Sequence, residues 1–309
     1  MLKRVLYCMV LLLVLAKGGF CQRIRIGLLP ILESLPVYVA HERALFPKGI
    51  EVVPIPTPSA AERDQLLSTG ELDAVINDLL AVVLFNREKP QLVAVNVARV
   101  PTPTHPQFFL LSSPKGRAIG LKGLEGASLA ISEFTVIHYV TERLLEVHGV
   151  DPQKVKFVSI PRISERMSAL MAGHVEAATL PDPLALLALK EGAKLLLDDS
   201  RCPHYSLSVY SFRSDFVNKH PEAVKAFLQG ISRAVELLRE EKGKWTDLLF
   251  ERKLVPGTLA GSYTLPEFPR PFVPKKSQWE DVVKWALDKK LLKAPLPYEG
   301  SITDKFLSP

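Results

Sequence analysis

The sequence predicts a two-lobed α/β clamshell, with mostly parallel sheets, helices on both faces and a ligand cleft between the lobes. Three observations carry this expectation. From Arg23 onward, alternating strand-like segments give way again and again to helix-like ones, the pattern of a parallel sheet covered on both sides. The series breaks at the Pro-rich piece "RVPTPTHP" and starts afresh after Gly126. Two extended apolar segments, 107–113 and 205–212, stand at the seams and predict hinges between lobes that close around small ligands.

The elements follow in order. "RIRIGLLP" alternates as a strand, and "PVYVAHERALF" is a helix with Pro36 in its first turn. "GIEVVPIP" is the second strand. "SAAERDQLLSTG" opens on a Ser59–Glu62 capping box and ends at Gly70. "LDAVIND", "LLAVVLFNRE" and "QLVAVNVAR" continue the series as strand, helix and strand. The second series runs "ASLAIS", "TVIHYVTERLLEVHG", "VKFVSI", "SERMSALMAG", "HVEAATL", "PLALLALKEG" and "AKLLLDD". A long helix is expected from about Pro221 to Glu241, then "KWTDLLFERK" and "SQWEDVVKWALDKK", the last with a Ser277–Glu280 capping box. The Pro-rich stretch 256–274 between them reads as irregular surface. The expected division is therefore 22–110 with 207–309 as the first lobe and 111–206 as the second.

Residues 1–21 are set apart. Lys3 and Arg4 precede an unbroken apolar run from Val5 to Ala16, which fits a cleaved secretory signal better than a membrane span of about 20 residues. Cleavage could follow Gly18 or Cys21, and Cys21 also leaves open a lipid anchor, although Phe20 before it is not a small residue. The expected location is therefore periplasmic or otherwise extracytoplasmic. The net charge of +6 includes Lys3, Arg4 and Lys17, too mild a balance to indicate nucleic acid as a partner. The three cysteines show no zinc spacing and no disulfide framework.

Several motifs match a known family in order and spacing. They are "LPVYVAHERALFPKGIEV" (with Ala44 where the family has glycine), "LLSTGELDAVIND", "LEGASLAIS", "ALMAGHVEAATLPDP" (with Glu176 for the usual Asp) and "NKHPEAVKAFLQGISRA". Over about residues 24–240 the chain resembles the periplasmic substrate-binding proteins of ABC transporters, in the branch for nitrate, sulfonates and the pyrimidine precursor of thiamine. The resemblance implies the type II periplasmic-binding-protein clamshell, a small-molecule ligand and no cofactor. It also implies an ABC transporter permease as partner and a monomer.

In such a clamshell the strand-to-helix turns of both lobes point into the cleft. The candidate ligand-binding residues from those turns are Glu33, Ser34, Tyr38, Asn77 and Asp78 in the first lobe. The second lobe and its return crossover offer Ser132, Glu133, Phe134, Thr135, Arg162, Asp182 and Tyr205. Each carboxylate also suits a helix N-terminus as a plain cap. Taken together, Glu33, Asp78, Glu133 and Asp182 would repel an oxyanion and suit a donor-rich ligand. An aminopyrimidine pairing with one carboxylate and stacked on aromatic rings fits that description. Asp182, held between Pro181 and Pro183, is expected to face the cleft.

Two other readings stay open. One keeps the binding role with a sulfonate, nitrate or other small organic anion, partnered by Arg162 or Arg99. The other is an enzyme on the same fold. Against it, the seven histidines form no HxH or HExxH pattern, no cysteine-rich motif occurs, and there is no Gly-rich phosphate loop.

Overall fold

The computed structural model of the 309-residue chain describes residues 21–115, 120–259 and 261–307. The apolar head through residue 20, and with it the expected signal segment, lies outside the described residues. The first series comprises β1 (Gln22–Leu28), α1 (Leu35–Glu42), β2 (Ile50–Pro56), α2 (Ala60–Ser68), β3 (Ala74–Asp78), α3 (Leu79–Asn86) and β4 (Leu92–Arg99). The chain then enters β5 (Phe108–Ser112), β6 (Ser128–Ile131), α4 (Val136–Val147), β7 (Lys156–Ser159) and α5 (Ile163–Ala172). β8 (Ala177–Pro181), α6 (Leu184–Lys190) and β9 (Lys194–Asp198) complete that series. It closes with β10 (Ser208–Arg213), α7 (Ser214–Lys219), α8 (Pro221–Glu240), α9 (Thr246–Glu251) and α10 (Lys276–Asp288).

Two five-stranded sheets result, in the orders β2-β1-β3-β10-β4 and β7-β6-β8-β5-β9. The parallel pairs are β1 with β2 and β3, and β6 with β7 and β8. Each sheet also takes in one strand running the other way, β10 in the first and β5 in the second. Four of the five strands in each sheet thus run the same way, as expected, and each sheet is mixed through its one reversed strand. The reason is the crossover itself, since β5 and β10 are laid down as the chain passes between the two series. No helix turns them back into parallel register.

The same helix–strand unit is built once in each half. Arg63 on α2 donates through Nη1 to the carbonyl of Ile76, 2.8 Å away, and Arg166 on α5 donates through Nε to that of Thr179 at 2.9 Å. Seven residues after each arginine stands a glycine in the left-handed region, Gly70 and Gly173, both with φ of 81°. Three residues later an acid ties the unit to the neighbouring strand. Asp73 accepts the backbone N–H of Arg25 on β1, and Glu176 accepts that of Ser128 on β6. Glu176, one carbon longer, thus makes in the second half the strand contact that Asp73 makes in the first. Ala44 adopts φ of 50° at the turn closing α1, at a cost of about 1 kcal/mol that glycine would avoid.

Helix ends are set locally. The Ser59 hydroxyl caps α2 by accepting the Glu62 N–H at 3.2 Å. At α10 the helix begins before the expected Ser277, and Gln278 reaches back to accept the Lys275 N–H at 2.8 Å, so Ser277 lies inside the first turn. Of the described residues in 256–274, Gly257–Leu259 form a short turn and the rest are irregular. They are more than surface, because Phe268 is buried and Tyr263 reaches Asp182.

One apolar core draws on both sheets. Val75 and Leu80 of the first half join Leu110, Leu129 and Val140 of the second, and Trp279 and Trp285 of α10 complete it. Polar contacts reinforce the α4–α10 seam. Asp281 accepts from Tyr139 and Arg143, while Glu142 accepts from Trp285 Nε1 at 2.7 Å and from Lys289.

Candidate functional site

The carboxyl ends of β3 and β8 and the helices that follow β2, β6 and β7 enclose a cavity of about 120 Å³ between the two sheets. Its walls are largely apolar, with Leu29, Ile76, Phe85, Phe108, Ile137 and Ile163 among them. A small polar set breaks the apolar lining. Glu33, Asn77, Asp78, Ser132, Phe134 and Thr135, all candidates from the sequence, line this cavity together.

Their roles differ. Asp78 caps α3 by accepting the Ala81 N–H at 2.9 Å. Its desolvation pushes the carboxyl up to about 6, even though Arg63 and the Ala81 N–H pull the other way. Glu33 Oε1 accepts from Gln107 Nε2 at 2.7 Å and from the Ser208 hydroxyl at 3.1 Å. Thr135 caps α4 by accepting the Ile137 N–H, and its hydroxyl donates to the Ser132 carbonyl. Phe134, between them, has φ of 58°.

Six other candidates do not line the cavity. Ser34 is buried and donates to the Leu29 carbonyl. Tyr38 is turned to a separate groove with Arg252 over its ring, since α1 packs its first turns into the first half's core. Glu133 is exposed on an outer groove. Tyr205 packs against Tyr139. Arg162 is half-exposed and bridges to Glu62 across the two halves at 3.1 Å.

Asp182 corrects the largest expectation. It neither caps α6, whose first turn has no side-chain cap, nor lines the cavity. Its Oδ2 accepts from Arg99 Nη2 and from the Tyr263 hydroxyl, both at 2.8 Å. Arg99 is fully buried, and Glu33 Oε2 lies 3.7 Å from its Nη1. Burial alone would lower the Arg99 pKa, but the charges of Glu33 and Asp182 more than offset it and leave it raised. Asp182 is a counter-ion that joins β4 to β8, because the Arg99 guanidinium needs an anion more than the cleft does.

Two cavity arginines escaped the sequence reading. Arg63 lies along Asp64, with Nη2 to Oδ1 at 2.7 Å. Arg166, fully buried, has no carboxylate partner among the described residues. It donates to the carbonyls of Ile160, Pro161 and Thr179, and its Nη2 has no partner. Burial lowers its pKa to about 10, which still leaves it charged at neutral pH. The signal was present in the helical spacing, for Arg166 shares the buried stripe of α5 with Met167 and Leu170. A charged residue on an apolar stripe is more informative than the exposed Arg162 one turn earlier.

Four buried polar atoms of cavity-lining residues lack partners. Asn77 Nδ2 and Arg166 Nη2 are donors; Glu33 Oε2 and Gln107 Oε1 are acceptors. Among the described residues no group of three or more His, Cys, Asp or Glu could hold a metal ion, and no helix is long and apolar enough to cross a membrane.

The sequence and the fold both have known counterparts. The model of the family described as NMT1/THI5 like matches residues 32–242. The taurine-binding periplasmic protein of Escherichia coli (strain K12) is 30% identical over 135 residues, 39% of this chain and 41% of that protein. The bicarbonate-binding protein CmpA of Synechococcus elongatus is 23% identical over 246 residues, 69% of this chain and 53% of that protein. The chain thus spans about half the length of the curated relatives it matches. Among solved structures, the periplasmic aliphatic sulphonate binding protein SsuA of Escherichia coli superposes with a TM-score of 0.76 at 18% identity, covering 91% of this chain and 97% of that one. A desulfurization enzyme, DSZB, superposes with a TM-score of 0.66 at 15% identity, covering 93% and 97%. At those identities the likeness is one of fold.

Proposed function

The chain belongs to the NMT1/THI5 like family, and from that premise we propose that it is an extracytoplasmic solute-binding protein. It captures a small anion-bearing molecule between its lobes and delivers it to an ABC importer. The observation that carries the ligand class is Arg166, a buried guanidinium at the cavity wall with no acid to neutralise it among the described residues. An uncompensated buried charge is costly, and an anionic ligand group supplies the missing counter-ion through charge-assisted hydrogen bonds. Asn77 Nδ2 adds a second donor. The relatives that bind taurine and bicarbonate, and the fold of a sulfonate-binding protein, agree with an anion.

Within this reading the basic and apolar head directs export, the protein acts as a monomer, and a permease is its partner. Ligand closes the lobes about the segments 107–113 and 205–212. The relatives with binding roles favour capture over catalysis, although DSZB is an enzyme on the same fold.

Gln107 Oε1, and Glu33 Oε2 beyond its ion pair with Arg99, accept no hydrogen bond and favour a second reading, a donor-rich aminopyrimidine. Native mass spectrometry of the purified protein, followed by thermal titration with taurine, ethanesulfonate, bicarbonate and an aminopyrimidine, separates the two. The anion reading expects an anion to stabilise the fold by about 2.7 kcal/mol at a hundred times its Kd. Stabilisation by the aminopyrimidine alone would transfer the function to the second reading. No shift with any of them would remove both.

A further inference from the structure

Gln107 stands where the cavity meets the crossovers. It is buried, lines the cavity and directly precedes β5. Bonds hold it on several sides. Its backbone N–H donates to Asp199 Oδ1 at 2.8 Å, and its carbonyl accepts the Asp182 N–H at 2.9 Å. Its amide Nε2 donates to Glu33 Oε1 at 2.7 Å and to the Ser208 hydroxyl at 2.6 Å. An ionised carboxylate can only accept, so the amide nitrogen must face Glu33. Turning the amide over would set its oxygen against that carboxylate. Oε1 is therefore fixed on the other side, buried and without a partner among the described residues. A buried acceptor with no donor is costly, and a ligand that brings one removes the cost.

Charge is distributed unevenly around the same cavity. Gln107 lies among three acids, Glu33, Asp182 and Asp199, and Arg99 is the guanidinium that faces Glu33 and Asp182. The other acids of the lining, Asp64 and Asp78, have the charge of Arg63 beside them. Arg166 bonds to carbonyls, with no carboxylate partner among the described residues. The backbone anchors of Gln107 and Arg166, Asp182 and Thr179, are three residues apart, about 10 Å of extended chain. One end of the cavity thus has acid to spare, and the other lacks it.

We propose that Gln107 is a specificity-determining residue that accepts an N–H from a protonated amine. The solute is then a compact zwitterion, with its anionic group at Arg166 and its ammonium group at Gln107 and Glu33. This rests on the anion reading and narrows it, because an anion alone leaves the Gln107 acceptor unanswered. Gln107 and Ser208 lie one on each crossover, so the acceptor is held at the pivot about which the lobes close.

Calorimetric titration of the full chain with matched probes tests the assignment. Taurine and β-alanine carry both groups. Ethanesulfonate and propionate keep the anion and lose the amine, while ethylamine keeps the amine alone. Taurine is expected to bind about tenfold to a hundredfold more tightly than ethanesulfonate, and β-alanine than propionate. Gln107→Met, close in length but without the acceptor, should bring taurine down to the affinity of ethanesulfonate and leave ethanesulfonate unchanged. The readout is a ratio within one variant, which a general loss of binding does not imitate. Circular dichroism checks folding, and Gln107→Asn, whose shorter amide draws the acceptor back, stands in should the methionine variant unfold. Equal affinities within both pairs in the parent overturn the zwitterion and leave the anion reading standing. A preference undiminished in Gln107→Met or its stand-in overturns the role of Gln107. Ethylamine bound as tightly as taurine removes the anion reading and the zwitterion with it, and so does the absence of binding by every probe.

Discussion

Arg63 and Arg166 occupy the same place in the two halves of the molecule, yet their surroundings differ by one side chain. Each lies seven residues before a left-handed glycine and donates to a strand carbonyl thirteen residues on. In the first half the next residue is Asp64, which lies along the guanidinium. In the second it is Met167, buried in an apolar cluster. The scaffold is repeated, and the counter-ion is not. A charge neutralised within the chain belongs to architecture, as Arg99 with Asp182 also illustrates. Arg166, bonded to carbonyls but with no carboxylate partner among the described residues, is where the proposed anion would sit.

The largest expected effect comes from removing a neutralised partner. Asp182→Asn leaves buried Arg99 with Glu33 alone, and urea unfolding should register a loss of about 3 kcal/mol. A loss under 1 kcal/mol would mean that Asp182 does not act as a counter-ion. Arg166→Met makes the opposite test. It should reduce affinity for the identified anion about a hundredfold, near 3 kcal/mol, with stability held within about 1 kcal/mol because removal of an uncompensated charge offsets the lost carbonyl bonds. Calorimetric titration and unfolding on the same sample check both halves of that statement.

Asp78→Asn follows in size. The folded protein holds the Asp78 proton more tightly than the unfolded chain does, with the folded pKa raised from 3.8 to about 6. This acid therefore makes stability fall as pH rises between those values, and the penalty is complete above them. Asparagine keeps the cap and drops the charge. The variant should be more stable than the parent by on the order of 2 kcal/mol at pH 7.5, and the gain should vanish below pH 3.8. A gain that persists in acid would assign the effect to something other than ionisation. Met167→Asp copies the first half's arrangement into the second, and about tenfold weaker anion binding is expected as Arg166 acquires an internal partner. Unchanged binding would break the comparison between the halves. Arg162→Gln is the smallest case. Its bridge to Glu62 is 54% and 41% exposed, so loss of stability should stay below about 0.5 kcal/mol.

The fold was legible because it is written in local periodicity. The strand and helix order, the Ser59 cap, the start of α8 at Pro221 and the two antiparallel-inserted segments all lie where alternation and turn residues put them. The orientation of β5 and β10 was not legible, since alternation gives a strand without its direction. The site was harder to read because partner choice is a long-range fact. Asp182 looks free in the sequence, while Arg99, 83 positions away, and Tyr263, 81 away, claim it in space. Asp78 and Thr135 could be read as caps from neighbouring residues, and they do cap. Arg166 was hidden by the ordinary expectation that charge faces water, although its place on the α5 stripe pointed inward.

The order β2-β1-β3-β10-β4 also bears on how the chain acquires its shape. β4, complete at Arg99, is flanked on its inner side by β10 alone, which is not available until Ser208–Arg213 has been made. The other sheet needs nothing outside Phe108–Asp198. During vectorial synthesis the second sheet can close while β4 still waits with its edge unpaired, and non-local pairing of this kind is slow. Pulse-labelled hydrogen exchange during refolding should protect β5, β6 and β8 before β4; simultaneous protection would contradict this order. The half inserted in the middle of the sequence is thus the first to mature, and the half that begins the chain is the last.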